Sequence, residues 1–328
     1  MCAVFGYLDY KGKVSNAILK KLIQNLSIAA EVRGTDATGI GYVNHGKVVT
    51  FKKAKPAHKV KLYFPKNTRA VIGHTRMTTQ GSEKYNYNNH PFDGRCGMET
   101  FALAHNGVLY NDAELKAKYH LPKTPIETDS YVAVQLLEQK KQLHAESIKR
   151  TAELVKGSFV FTILRNDNTL FLVKGNNPLT IYHFPKIGIY VYASTKSILD
   201  NALQQVNLSD KCCEIDVSEG EIVEIAANGK LSKTTFAIQN YTHSVFSPYN
   251  WDNLNWYETE EQEECLLEYC RMIGVPELCY IIAYQKELDK KYVSFEDALG
   301  LVLGNQCQQL KRYWHLPRIK NQTRFQRK

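Results

Sequence analysis

Short runs of apolar and β-branched residues recur along the first 240 residues, and they predict β-strands. The first run starts immediately after the initiator methionine. A hairpin with a tight turn at Asn228 and Gly229 is predicted over 219–233. The other predicted strands cover 2–8, 38–43, 47–54, 70–77, 100–109, 158–165, 169–175, 179–184 and 187–194.

Helical spacing of apolar residues predicts helices between these strands. Ile18, Leu19, Leu22 and Ile23 lie on one face of a helix that ends near residue 31, with Ser15 or Asn16 as its cap. A second helical block spans 111–156, with Thr128 as the predicted cap of one helix, and a third helix covers 195–203.

The order of elements is strands, then helices, then strands again, without alternating βαβ units. This order favours an α+β fold, and we expect a four-layer αββα sandwich in which two antiparallel sheets pack together between helices. The pattern changes after residue 240, where helical spacing recurs near 259–273, 276–289 and 294–311. We therefore divide the chain into a main domain at 2–240 and a small helical extension at 241–328, which ends in a basic tail.

Composition and charge narrow the possible classes of protein. The chain has 44% hydrophobic residues and eight cysteines without a CxxC pair, so we expect no zinc site and reduced thiols in a cytoplasmic protein. No apolar run reaches the roughly 18 residues of a membrane span, and no signal peptide is recognisable. The net charge of +9 is concentrated in the tail at 311–328 and in lysines at 52–61. We interpret both basic segments as solvent-exposed surfaces. Contact with nucleic acid stays an alternative, because aromatic residues are interspersed in the tail.

Cys2 is the first candidate for chemistry. Its small size permits removal of Met1, and the residue would then carry a thiol and a free α-amine, a nucleophile with its own base. The competing interpretation is a small buried residue at the start of a strand.

Polar segments at predicted strand ends are the other candidates, since catalytic residues concentrate in such connections. Taken singly, Arg76 or Asp129 could form an ordinary surface ion pair, and Asn106-Gly107 could form a hairpin turn. Three histidines in these segments could suggest a metal or a Cys–His pair, but no ligand spacing is evident. The segments are RGTDATG (33–39), GHTRMTTQG (73–81), NHP (89–91), HNG (105–107) and ETD (127–129).

In this order and at these separations, the segments resemble the class II glutamine amidotransferase domain, in which an N-terminal cysteine hydrolyses glutamine. The resemblance covers about 2–235. It implies that Cys2 attacks the glutamine amide and that Asn106 and Gly107 form the oxyanion hole. It also implies that Arg76 holds the α-carboxylate and that Asp129 accepts from the α-ammonium group.

The same resemblance implies secondary roles around this centre. Thr78 and His90 are assigned to substrate binding, and Arg33 and His74 to support of the site. No metal or organic cofactor is required. Met77 departs from the family pattern, because relatives often carry an aromatic residue directly after this arginine.

The residues after 240 are too few for a recognisable synthase domain, and the chain has no phosphate-binding loop. We therefore expect an ammonia-producing protein that supplies a nitrogen acceptor held by a partner protein. Two alternatives stay open: an N-terminal-nucleophile amidase for a different amide, and a catalytically idle binding domain that uses the basic tail.

Overall fold

The computed structural model describes residues 2–206, 208 and 211–239. The helices predicted after residue 240 and the basic tail lie outside the described residues. Within the described part, no helix combines the length and the apolar character that spanning a bilayer requires.

Most of the predicted strands and helices are present, with boundaries shifted by one or two residues. The helices are α1 (Asn16–Ala29), α2 (Asp112–Lys118), α3 (Tyr131–Glu138), α4 (Ala145–Ala152) and α5 (Lys196–Gln204). The strands are β1 (Ala3–Asp9), β2 (Ala37–Asn44), β3 (Lys47–Lys53), β4 (Ala70–Arg76), β5 (Phe92–Cys96), β6 (Glu99–Leu109), β7 (Gly157–Arg165), β8 (Leu170–Lys174), β9 (Thr180–Phe184), β10 (Ile189–Ala193), β11 (Cys213–Ile215), β12 (Glu221–Ile225) and β13 (Leu231–Thr235).

The strands form two antiparallel sheets. One has seven strands in the order β11-β9-β10-β1-β4-β2-β3, and the other has six in the order β13-β12-β8-β7-β6-β5. β1 therefore lies at the centre of its sheet, paired with β10 and β4. This position explains why all seven residues of β1 are buried.

Alternation along β1 shows how the layers are built. Phe5 and Tyr7 pack in the cluster that contains α1 and α5, whereas Val4 and Leu8 pack in the cluster between the two sheets. A third cluster joins the outer face of the six-stranded sheet to α3 and α4. The result confirms the predicted four-layer αββα sandwich.

The N-terminus of α1 confirms the predicted cap, because the hydroxyl of Ser15 accepts a hydrogen bond from the Ile18 backbone N–H at 3.3 Å. We expect Ser15→Ala to lower the free energy of unfolding by about 1 kcal/mol, since it leaves one helix donor without its partner. Chemical denaturation measures this loss. Ser232→Ala, on an exposed strand position, is the control and should change stability by less than about 0.5 kcal/mol. An equal effect of both substitutions would contradict the capping role.

Three predictions of secondary structure need correction. The block at 111–156 is divided into three helices, α2, α3 and α4. Thr128 does not cap α3, which begins at Tyr131 with Ser130 as the preceding residue, because the turn at 128–130 faces a cavity. β5 and β11 were not predicted, since both are short and lack a continuous apolar run.

Candidate active site

The register of the central strands brings the first candidates together. Ala3 on β1 pairs with Thr75 on β4, so Cys2, one residue earlier, lies beside Arg76. A small cavity of about 10 Å³ lies at this end of the sandwich. Its lining unites five residues predicted for the site: Cys2, Arg76, His90, Gly107 and Asp129.

Cys2 has 9% of its surface exposed, and its Sγ lies 3.4 Å from the carbonyl oxygen of Met77. Burial raises the pKa of the Cys2 thiol above its ordinary value. The thiol is therefore protonated at neutral pH and needs a base before it can attack. Arg33, which was assigned to support of the site, donates from its Nε to the Cys2 carbonyl oxygen at 2.9 Å.

Arg76 is a buried cation held by neutral oxygens. Its Nη1 donates to Asn89 Oδ1 at 2.7 Å, and its Nη2 donates to the carbonyl oxygens of Gln80 at 2.6 Å and Gly81 at 2.8 Å. Burial lowers the pKa of Arg76. Among the described residues, no carboxylate forms an ion pair with it, and only 2% of its surface is exposed. The surface-ion-pair interpretation is excluded, because Arg76 is buried and its guanidinium donates to neutral oxygens, while nearby carboxylates act on it only from beyond ion-pair distance.

Asp129 provides the opposite charge on the same cavity. Its Oδ2 accepts a hydrogen bond from the Leu109 backbone N–H at 2.6 Å, which ties the start of α3 to the end of β6. The residue is 3% exposed and forms no ion pair within the described part of the chain. A buried cation and a buried anion on one small cavity match the two charged ends of an amino acid.

Asn106 and Gly107 lie inside β6, paired with Val160 and Phe159 of β7, so the hairpin-turn interpretation is wrong. Gly107 has φ +145°, and a Cβ at this position would lie 1.9 Å from the carbonyl oxygen of Ser158. Only glycine therefore fits this backbone. Both polar atoms of the Asn106 side chain are buried and have no partner within the described residues. A buried amide without partners costs about 1–3 kcal/mol, and Asn106 itself is not among the residues that line the cavity.

The three buried histidines, His74, His90 and His105, contact one another and backbone carbonyl oxygens. His74 Nε2 lies 2.9 Å from the carbonyl oxygen of His105, and the ring of His90 lies 4.2 Å from that of His74. Burial lowers the pKa of His74 to about 3 and the pKa of His90 well below its ordinary value. Among the described residues, no cluster of histidine, cysteine, aspartate or glutamate side chains could hold a metal ion. His90 lines the cavity, and His74 does not.

Thr78 is placed differently from its prediction. It does not line the cavity, and its backbone N–H donates to Asp36 Oδ2 at 2.7 Å. Thr79 lines the cavity instead, one residue further along the same loop. Five other lining residues were not assigned to the site: Met77, Gln80, His105, Thr128 and Ser130. Four of them neighbour a predicted residue in the sequence and Gln80 lies two residues from Thr78, but proximity in sequence alone does not show which side chain faces inward.

The two-sheet αββα sandwich, with Cys2 immediately before the central strand β1, resembles the N-terminal-nucleophile hydrolase fold. The solved structure of glutamine phosphoribosylpyrophosphate amidotransferase from Bacillus subtilis shares this fold, with a TM-score of 0.56 and 21% identity over 73% of this chain and 50% of that one. Residues 74–201 match the family described as "Glutamine amidotransferase domain". The chain therefore carries a class II glutamine amidotransferase domain.

Curated relatives agree with this assignment. Glutamine–fructose-6-phosphate aminotransferase of Bacillus subtilis is 29% identical over 270 residues, covering 80% of this chain and 43% of that protein. 7-cyano-7-deazaguanine synthase 2 of Sulfurisphaera tokodaii is 29% identical over 251 residues, covering 73% of this chain and 53% of that protein. The chain thus spans about half the length, or less, of these relatives.

Proposed function

We propose that this chain hydrolyses the side-chain amide of L-glutamine to glutamate and ammonia. The observation that carries the proposal is the single cavity on which the Cys2 thiol meets a buried guanidinium from Arg76 and a buried carboxylate from Asp129. An amide substrate without an α-carboxylate and an α-ammonium group has no use for this pair of charges.

The first half of the reaction forms a thioester. Once Met1 is removed, the α-amine of Cys2 takes the thiol proton, and Sγ attacks the amide carbon. Negative charge develops on the amide oxygen, where the Asn106 side-chain N–H and the Gly107 backbone N–H stabilise it. The carbon–nitrogen bond then breaks as the Cys2 ammonium returns its proton to the leaving group, which departs as ammonia.

The second half regenerates the enzyme. Water loses a proton to the same amine and attacks the thioester carbon. The carbon–sulfur bond then breaks as the Cys2 ammonium returns this proton to Sγ, which gives glutamate and the free thiol. The histidines of the site take no proton in these steps. Burial lowers the pKa of each imidazole, so its protonated form is disfavoured at neutral pH.

Substrate entry requires movement of the loop after Arg76. The cavity of about 10 Å³ holds roughly one water molecule, so glutamine does not fit while the loop is in this position. In this position, the carbonyl oxygens of Gln80 and Gly81 accept hydrogen bonds from the guanidinium of Arg76. If the α-carboxylate of glutamine accepts the Arg76 N–H groups in their place, the loop loses these hydrogen bonds and is free to move. Binding of glutamine is therefore coupled to the position of the loop.

The destination of the ammonia is part of the proposal. We propose that it is passed to an acceptor bound by a partner protein, in a cytoplasmic setting. The names of the relatives support transfer to an acceptor, since they describe transfer to a sugar phosphate or synthesis of a deazaguanine.

An assay of ammonia and glutamate release tests the proposed activity. We expect the chain without Met1 to hydrolyse L-glutamine and to discriminate strongly against glutaramate, which lacks the α-ammonium group. Comparable turnover of both amides would favour an amidase for another substrate. Lack of turnover with a retained Met1 would favour an idle binding domain.

Arg76→Lys should raise KM for glutamine by about 10- to 100-fold, because one ammonium group cannot both hold Asn89 and offer a carboxylate the two parallel donors of a guanidinium. Steady-state kinetics measure this change. Arg69→Lys, at a position outside the cavity lining, is the matched control. An unchanged KM in Arg76→Lys would remove Arg76 from substrate recognition.

A further inference from the structure

Ser130 directly precedes α3, yet its hydroxyl does not cap the helix. A serine at this position usually accepts a hydrogen bond from a backbone N–H of the first turn. Here Oγ lies 2.7 Å from Nδ1 of His105, and both residues are buried. The orientation of the Ser130 hydroxyl is therefore set by its hydrogen bond with the His105 imidazole and not by a capping hydrogen bond with α3.

The other nitrogen of His105 determines the direction of this hydrogen bond. Nε2 lies 3.3 Å from the carbonyl oxygen of Ser158, which can only accept, so Nε2 carries the ring proton. Burial lowers the pKa of His105, and the ring is neutral. Nδ1 is then an acceptor, and the Ser130 hydroxyl donates its single proton to it.

With its proton engaged, the Ser130 oxygen presents lone pairs to its remaining neighbours. Asp129 Oδ1 lies 3.4 Å from this oxygen, while Asp129 Oδ2 is occupied by the Leu109 N–H. Asp129 and Ser130 both line the cavity that contains Cys2. Two acceptors, one of them charged, therefore stand side by side in the cavity wall.

We propose that Ser130 Oγ and Asp129 Oδ1 together bind the primary ammonium group of the substrate, with His105 as the residue that orients the hydroxyl. An ammonium group has three N–H donors and can supply both acceptors at once. A substrate without the α-nitrogen loses both hydrogen bonds, and one whose α-nitrogen is acylated loses the positive charge and keeps only a single N–H donor. The inference rests on the proposed function and extends it, since Ser130 becomes a determinant of preference for a free amino acid.

Binding measured in a Cys2→Ala background tests the inference without turnover. Titration calorimetry with L-glutamine should show that Ser130→Ala weakens Kd about 10-fold, as expected for loss of a hydrogen bond to a charged group. Ser130→Thr keeps the hydroxyl and should restore Kd to within about threefold. Glutaramate, measured by competition, should bind equally to the parent and to Ser130→Ala.

The outcomes separate this inference from the function on which it rests. Equal weakening of glutamine and glutaramate by Ser130→Ala would show a merely structural role and overturn the inference. Unchanged glutamine binding in Ser130→Ala would also overturn it, with the proposed function intact. A parent protein that binds no glutamine, and whose Cys2-containing form hydrolyses none, would overturn the proposed function and the inference together.

Discussion

Cys2→Ala should lower the rate of glutamine hydrolysis by at least about 1000-fold, because it removes the nucleophile and leaves only binding and charge stabilisation. Alanine also permits removal of Met1, so the α-amine stays in place and the loss reports the thiol alone. Cys2→Ser is a stricter test of the need for a thiol, because it replaces only the sulfur by a hydroxyl oxygen and otherwise preserves the side chain. Ammonia release under saturating glutamine is the measurement.

The chain offers a matched control for this experiment. Cys213 is exposed on β11, in a strand at the edge of the seven-stranded sheet, and it does not line the cavity. Cys213→Ala should keep the activity of the parent. Comparable activity of Cys2→Ala and the parent would remove Cys2 from the chemistry altogether.

Asn106→Ala should reduce kcat by about 100- to 1000-fold with a much smaller effect on KM, since the amide meets charge that develops only in the transition state. The side chain has no partner among the described residues, so its removal breaks no hydrogen bond of the fold. Removal of an unpartnered buried amide and the space left by the smaller side chain have opposite effects on stability, so we expect a small net change. Steady-state kinetics with a parallel thermal melt measure both kcat and stability.

Two further variants sharpen this prediction. Asn106→Asp preserves the shape of the side chain but adds negative charge, and it should reduce kcat at least as strongly as Asn106→Ala. Asn201→Ala, at an exposed position on α5, should change neither kcat nor KM. A rise in KM with unchanged kcat in Asn106→Ala would indicate ground-state binding and contradict the oxyanion role.

The sequence predicts the layers of this fold well because alternation and helical spacing report which faces are buried. β1 and α1 are clear examples, since the cap at Ser15 and the apolar faces of both elements are local signals. β5 was not predicted because its five residues lack a local strand pattern and are extended only where they pair with β6. Gly94 lies so close to Phe101 of the neighbouring β6 that a Cβ there would be 2.5 Å from the Phe101 ring.

The site was predicted less completely than the fold, for a related reason. The family motifs identified Cys2, Arg76 and Asp129, which the structure places on one cavity. They did not distinguish Thr78 from Thr79, because the side-chain directions in a loop depend on contacts such as the Thr78 N–H to Asp36. The role of Ser130 depends on the buried contact with His105, which joins two elements that are distant in sequence.

The most direct test of the account is covalent labelling of the purified chain with a diazoketone analogue of L-glutamine, which alkylates a nucleophile positioned at the amide carbon. Intact mass and peptide mapping should show one adduct per chain, located on Cys2 of a protein that lacks Met1, and an excess of L-glutamine should prevent it. An adduct on another cysteine, or no adduct on chains shown to lack Met1, would contradict the account.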